Sequence, residues 1–290
     1  MIPVVIVHTS NKPYLKTNVD ITGKNNKIYF IGDKSVKYLE EHPNCTFIDI
    51  SQYEKEWIRE LDKAYINFSS GGRNNEWLCF KRVFIIKEFL LEHKDQFNSV
   101  FHIDSDNILL QDINNYPFTE SVAYICTQNW HDMRMANSIH CGRLNLDFCE
   151  AFEQLYKDIY VNKSKMSLIE NKIKYHYRGN SYAGGGISDM TFYYLINTLK
   201  LIEVQDLLVP VEKNGKKYVF MNTYTTNEGH VTKNQYKKTG NVLSIEKSEN
   251  GQDNIVTDIV SNDKLSLYNI HFQGGSKSHL NASLKTKINY

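Results

Sequence analysis

Two carboxylates one residue apart, Asp104 and Asp106, follow directly on the apolar run Val100–Ile103. Where the pleat of a strand breaks into a loop, such a pair can turn toward one hard cation, and its oxygen donors suit Mg²⁺ or Mn²⁺. The same acids could instead cap a turn after the strand. Far down the chain, His271-Phe272-Gln273-Gly274-Gly275-Ser276-Lys277 offers an imidazole ligand, glycines that let backbone N–H groups approach a phosphate, and a lysine cation at useful spacing. Taken alone, His271 reads equally as a packed core histidine. Asp189 follows Gly184-Gly185-Gly186 in the first turn of an expected helix. There it is either held near a substrate, where it could remove a proton, or it only complements the helix dipole. The glycines likewise serve either the site or tight packing.

The elements that must position these groups follow an α/β grammar. Strands are expected at Val4–Val7, Lys27–Ile31 and Thr46–Ile50, and a continuous one at Val100–Ile103. Between Asn75 and His93 the apolar residues fall at three-and-four spacing, an amphipathic helix whose polar face carries Lys81, Arg82 and Lys87. In open α/β sheets ligands sit at the carboxyl ends of strands, which is where the two acids lie. A further strand is expected at Ser121–Cys126, then aromatic and polar loops through Trp130, His140 and Tyr177, interrupted by a helix over Leu146–Ile159. Asn214-Gly215 predicts a hairpin within Val209–Met221, and a second hairpin over Val242–Ile270, turning near Asn250-Gly251, delivers the histidine tail. The whole reads as one domain, 1–290: a nucleotide-binding half over 1–125, an acceptor-facing half over 126–235, and a C-terminal hairpin region over 236–290.

Composition narrows the class of function. In 290 residues, 34 basic side chains meet 33 acidic ones, a net charge of +1 that leaves no electrostatic footprint for nucleic acid or an anionic membrane. With 41% hydrophobic residues the chain can bury a sizeable core, so disorder and fibres are excluded. Five cysteines without a C-x-x-C pair suggest neither a disulfide framework nor a thiolate zinc site, and fit a reducing, cytoplasmic compartment. The opening MIPVVIVHTS has no basic leader or small-residue cleavage site, and no window reaches the roughly 18 apolar residues of a membrane span.

Together, D-x-D and H-F-x-G-x-x-K resemble the nucleotide-diphospho-sugar glycosyltransferases of the GT-A fold, and the tail resembles that of glycosyltransferase family 8. The resemblance implies a Rossmann-like mixed central sheet flanked by helices. It also implies Mn²⁺ or Mg²⁺ on Asp104, Asp106 and His271, and a pyrophosphate cradle completed by Gly274 and Lys277. Asp104 would also touch the donor's ribose. The family carries an arginine facing the donor on the helix before D-x-D; Arg82 is the candidate, with a solvated helix face as its alternative. First-strand residues of such folds meet the nucleotide base, which points to His8, Thr9 and Tyr14. The implied partners are a nucleotide-sugar donor, UDP by family habit, and a glycan or other hydroxyl acceptor. Acceptor binding would fall to Gln128, Asn129 and Trp130, while His131, His140 and His176 show no ligand spacing. The chain departs from the family in having Ser278-His279 after the lysine where Pro-Trp is common, and Ala183–Met190 in place of the family's Asn-x-Gly and D-Q-D segments.

The leaving diphosphate of a donor sugar needs charge stabilisation, which a divalent cation, Lys277 and Arg82 can supply. If the reaction inverts the anomeric centre, Asp189 is the base for the acceptor hydroxyl. If it retains the centre, the departing phosphate takes the proton and Asp189 holds donor or acceptor. Two other readings remain: a haloacid-dehalogenase-like phosphatase, whose signature VFHIDSDNIL approaches but for Ile108 where threonine is wanted, and a carbohydrate-binding module without turnover.

Overall fold

Val4, Val5, Ile6 and Val7 are all buried, and they split between two cores: Val5 and Val7 into one, Val4 and Ile6 into the other. This is the period-two signature of a strand covered on both faces. Strand β1 (Val4–His8) is flanked by β2 (Ile28–Gly32), which carries β3 (Cys45–Asp49) outside it, and on its other side by β4 (Ser99–Ile103), all parallel. The structure, a computed structural model, describes residues 1–280 other than 128–131, 178–185, 225–235, 241, 250, 252, 278 and 279.

A short strand β5 (Asn107–Leu109) follows the D-S-D turn, and the seven-stranded mixed sheet is completed beyond β4 by β7 (Ser138–Asn145), β6 (Ala123–Ile125) and β8 (Gln205–Asp206). Strand β7 runs antiparallel between β4 and β6. This corrects the expectation of polar loops there. Its residues, SIHCGRLN, show neither alternation nor a branched-apolar run, because the strand lies inside the sheet where His140, Cys141 and Gly142 are also buried. Gly142 has a steric reason: a Cβ there would stand 2.9 Å from the carbonyl oxygen of Ala123 on β6.

Helices pack on both faces. Helix α1 (Leu15–Thr22) joins the core that holds Val4 and Ile6, and α2 (Glu56–Ala64) and α3 (Arg73–Glu92) join the other. Helix α4 (Leu146–Tyr156) continues into one π-helical turn, Lys157–Val161, and α6 (Asp189–Thr198) packs against α3 and α4. Helix α5 (Ser167–Tyr177) is a second element that the loop expectation overlooked. It presents little apolar surface, and its buried Lys172 donates to the carbonyls of Arg134 and Met135 and to the Thr191 hydroxyl.

The expected hairpin at Asn214-Gly215 forms between β9 (Val211–Lys213) and β10 (Lys216–Val219), with φ of 54° and 71° at the two turn residues, the left-handed pair that a type I′ turn needs. The expected single hairpin over Val242–Ile270 is instead several ladders. β11 (Lys238–Thr239) pairs with β12 (Val242–Leu243), while β13 (Glu246–Lys247), β14 (Asn254–Thr257) and β15 (Lys264–Leu267) form an antiparallel meander that joins β10. Strand β16 (Asn269–His271) then leaves this sheet to pair antiparallel with β5, setting His271 opposite Asn107. Strand period cannot report that change of partner. Among the described residues, no helix is long and apolar enough to cross a membrane.

Candidate functional site

Strand order reverses at β1 and β4: β1 is followed in sequence by β2 on one side, while β4 opens the other half. A crevice is expected outside the carboxyl ends at such a point. There β4 gives way to a turn closed by the Asn107 amide on the Asp104 carbonyl, 2.9 Å. Ser105 in the turn meets His8 at the end of β1, Oγ to Nδ1 3.1 Å.

The β5–β16 ladder brings the tail onto this turn. Besides the strand pairing, the Phe272 amide donates to the Asp106 carbonyl at 2.9 Å. Buried amides hold the register: Asn269 Nδ2 donates to Asn107 Oδ1 (2.9 Å) and to the Met221 carbonyl (3.0 Å), and Asn107 Nδ2 to the His140 carbonyl (2.9 Å). Asn18 Nδ2 on α1 donates to the carbonyls of Ser105 and Asn107, both at 2.8 Å. Each of these groups would be costly to bury unpaired, so together they favour one alignment of turn and tail.

The result is that His271 Nε2 stands 3.6 Å from Asp106 Oδ1, and Lys277 Nζ 2.9 Å from Asp106 Oδ2. The other ring nitrogen of His271, Nδ1, lies 2.6 Å from the Asn222 carbonyl. Donation from Nδ1 to that carbonyl leaves Nε2 facing the carboxylate, the orientation that histidine metal ligands take from a second partner. His140 stacks on His271, ring centroids 4.0 Å apart and 12° from parallel. Burial opposes the charge on both His271 and Asp106, yet each outweighs that penalty for the other: the imidazole pKa is raised and the carboxyl pKa lowered, with Lys277 helping the latter.

Arg82 organises the opposite wall. Its guanidinium pairs with Asp104 through Nη1 and with Asp189 Oδ2 through Nη2 at 2.7 Å. The Arg82 side chain is only 13% exposed and that of Asp189 5%, so the alternative of a solvated helix face is excluded. Burial works against the charge of Asp104, but Arg82 and then the His102 hydrogen bond overcome it and hold the carboxyl well below the usual range. Asp189 also accepts from the Tyr193 hydroxyl (2.8 Å) and the Met190 amide (2.9 Å). The Nε of Arg82 is buried without a hydrogen-bond partner among the described residues.

These groups line one cavity of about 490 Å³, in which Lys277 and His271 meet at Asp106 and Arg82 links Asp104 to Asp189; Gly274, Ser69, Gly71 and Glu76 line it too. Gly274, at φ of 56°, adopts a conformation that favours glycine. Thr9 lies just beyond β1, half-buried, and is not among the lining residues. Gln128, Asn129, Trp130 and His131 lie outside the described residues, as do Ala183, Gly184 and Gly185. His140, Asn222 and Glu76 line the cavity with no sequence motif to announce them.

For a divalent cation the donor chemistry fits at Asp106 and His271, a carboxylate and an imidazole oriented by a carbonyl, while the Lys277 ammonium on the same carboxylate would have to give way to the ion. Among the described residues, however, no group of three or more His, Cys, Asp or Glu side chains is arranged to hold a metal ion as it stands. Asp104 is engaged instead by Arg82 and His102, both at its Oδ1.

No known protein family matches the sequence, and no curated protein does. Solved structures that resemble this fold include mouse xyloside xylosyltransferase 1 in its apo form, with a TM-score of 0.48 and 14% identity over 71% of this chain and 84% of that one. The PaToxG glycosyltransferase gives 0.39 and 12% identity over 68% and 69% of the two chains. The glycosyltransferase GlyE of Streptococcus pneumoniae gives 0.36 and 15% over 71% and 46%. The likeness is one of backbone layout and transfers no residue role.

Proposed function

We propose that the protein is a metal-dependent glycosyltransferase of GT-A type that moves a sugar from a nucleotide-diphosphate sugar, UDP-linked by family habit, to a hydroxyl acceptor such as a glycan. The observation that carries this reading is the meeting of Asp106 with His271 and Lys277 across 165 and 171 residues of chain (271 − 106 and 277 − 106). A structural role alone does not call for an imidazole, an ammonium and a carboxylate together on the wall of a cavity that a glycine with left-handed φ also lines; a diphosphate with its cation does.

In this reading Asp106 and His271 would hold Mn²⁺ or Mg²⁺, with Asp104 as the further carboxylate. The cation supplies charge stabilisation to the leaving diphosphate. Lys277, released from Asp106, and the backbone around Gly274 bind the phosphates, and Arg82 adds a fixed positive charge near the bond that breaks. Asp189 holds a sugar hydroxyl: three donors already engage its two oxygens, which favours a positioning task over proton abstraction. Thr9 stays assigned to the nucleoside, on the strength of its place after β1. The five unpaired cysteines keep the assignment to the cytoplasm. The clamp on Asp104 argues against its being the nucleophile of a phosphatase.

The test is calorimetric titration of the protein with nucleotide sugars, with and without Mn²⁺, followed by assay of donor turnover. Metal-dependent binding of a nucleotide sugar is expected. Phosphatase activity that ignores nucleotide and metal-dependent binding without any hydrolysis or transfer are the results that support the two rivals.

A further inference from the structure

The part of the cavity wall carried by the first turns of α3 and the loop before it differs from the part around Lys277. Glu76, Cys79 and Arg82 recur every third residue along α3 and all three line the cavity. At a rise of about 1.5 Å per residue, Glu76 lies about 9 Å along the helix from Arg82, a span that one pyranose ring with its hydroxyls can bridge between the two long side chains. The facing loop is closely fixed: Asn67 Nδ2 donates to the Gly71 carbonyl at 2.7 Å, the Gly71 amide to Ser69 Oγ at 3.2 Å, and the Ile187 amide to the Phe68 carbonyl at 3.1 Å. Gly71 makes room for the carboxylate, since a Cβ there would stand 2.1 Å from Glu76 Oε1. Burial, and then the charge of Asp189, push the Glu76 carboxyl upward, against a hydrogen bond from Ser69. Of the described lining residues carried by α3, the loop before it and the start of α6, Arg82 is the one cation; Ser69, Ser70, Gly71, Glu76, Cys79, Ser188, Asp189 and Met190 carry no positive charge. This is a wall that accepts hydrogen bonds from neutral hydroxyls and repels an anion.

We propose that Glu76, supported by Ser69, is a specificity-determining residue that reads the hydroxyls of the transferred sugar remote from its anomeric carbon, selecting a neutral hexose or pentose and rejecting a uronic acid. The inference rests on the nucleotide-sugar reading: with the diphosphate at Lys277 and the anomeric carbon near Arg82, the far edge of the ring meets Glu76.

The experiment is calorimetry in Mn²⁺ with UDP, UDP-glucose, UDP-galactose, UDP-xylose and UDP-glucuronate, for the wild type, Glu76→Gln and Ser69→Ala, with the guanosine series used if UDP does not bind. The wild type is expected to bind its best neutral donor at least about tenfold more tightly than the uronate, the scale of one charged hydrogen bond or its loss. Glu76→Gln should narrow that gap by about tenfold while leaving the affinity for UDP alone unchanged. Should Glu76→Gln fail to fold, weaker binding of every neutral donor by Ser69→Ala, at unchanged UDP affinity, supports the same assignment. Nucleotide sugars that bind with the same ranking in all three proteins overturn the role of Glu76 and leave the function intact. A wild type that binds no nucleoside diphosphate overturns the nucleotide-sugar reading and the inference with it.

Discussion

Replacing Arg82 with methionine keeps most of the buried stem and removes the charge that half-buried Asp104 and buried Asp189 share. In the wild type the guanidinium faces Asp104 and Asp189, whose side chains are 28% and 5% exposed. Breaking a buried pair from one side costs about 3–5 kcal/mol; because Asp104 is partly exposed and holds His102, and Asp189 holds Tyr193 and its own helix amide, Arg82→Met should lose stability at the low end of that range at pH 8. The loss should also depend on pH with a definite sign. In the wild type Asp104 has a depressed pKa, so its contribution is full above the unfolded value of about 3.9 and fades only as pH falls through the folded value. Burial is already the largest influence on Asp104, and without Arg82 the His102 contact is left to offset it. The folded pKa should therefore rise, and the variant should recover part of its lost stability as pH falls through that raised value. Urea unfolding of both proteins at pH 8, 6.5 and 5 measures this: the difference should be large at pH 8 and shrink toward pH 5. A difference under about 1 kcal/mol, or one that does not change with pH, refutes the claim that Arg82 neutralises buried charge.

Asp106→Asn should abolish metal-dependent nucleotide-sugar binding and turnover while the protein stays folded; a purified variant with wild-type activity by donor-turnover assay removes the metal assignment. Lys277 is 42% exposed, so Lys277→Ala should leave the melting temperature nearly unchanged yet weaken UDP binding more than uridine binding; equal losses by calorimetry remove its phosphate role. Gly186→Ala adds a Cβ that would lie 2.0 Å from the Phe68 carbonyl oxygen at a φ of 86°, and should cost at least about 1–3 kcal/mol in urea unfolding by displacing the loop that carries Ser69 from the start of α6.

Much of the layout was legible because its signals are local. The apolar runs that became β1 to β4, the three-and-four spacing of α3 and the Asn214-Gly215 turn each report a backbone preference that neighbours only reinforce. β7 was missed because a strand inside a mixed sheet shows no alternation, and SIHCGRLN resembles a polar loop until its two neighbours are known. Helix α5 was missed because its buried position at Lys172 carries a polar side chain that three acceptors satisfy.

The same division runs through the site. Residue types alone announced an acid pair at a strand end, and an imidazole, glycines and an ammonium together in a distant tail, because those side chains have few other uses in that company. That Arg82 divides itself between Asp104 and Asp189, that Asn222 turns His271 toward Asp106, and that His140 and Glu76 belong to the cavity wall were settled by folding. Spacing along a chain encodes periodicity over a few residues. Whether two groups more than a hundred residues apart share a carboxylate depends on which sheet edge a strand joins, here β16 on β5, and that choice is made by burial and hydrogen bonding summed over the whole molecule.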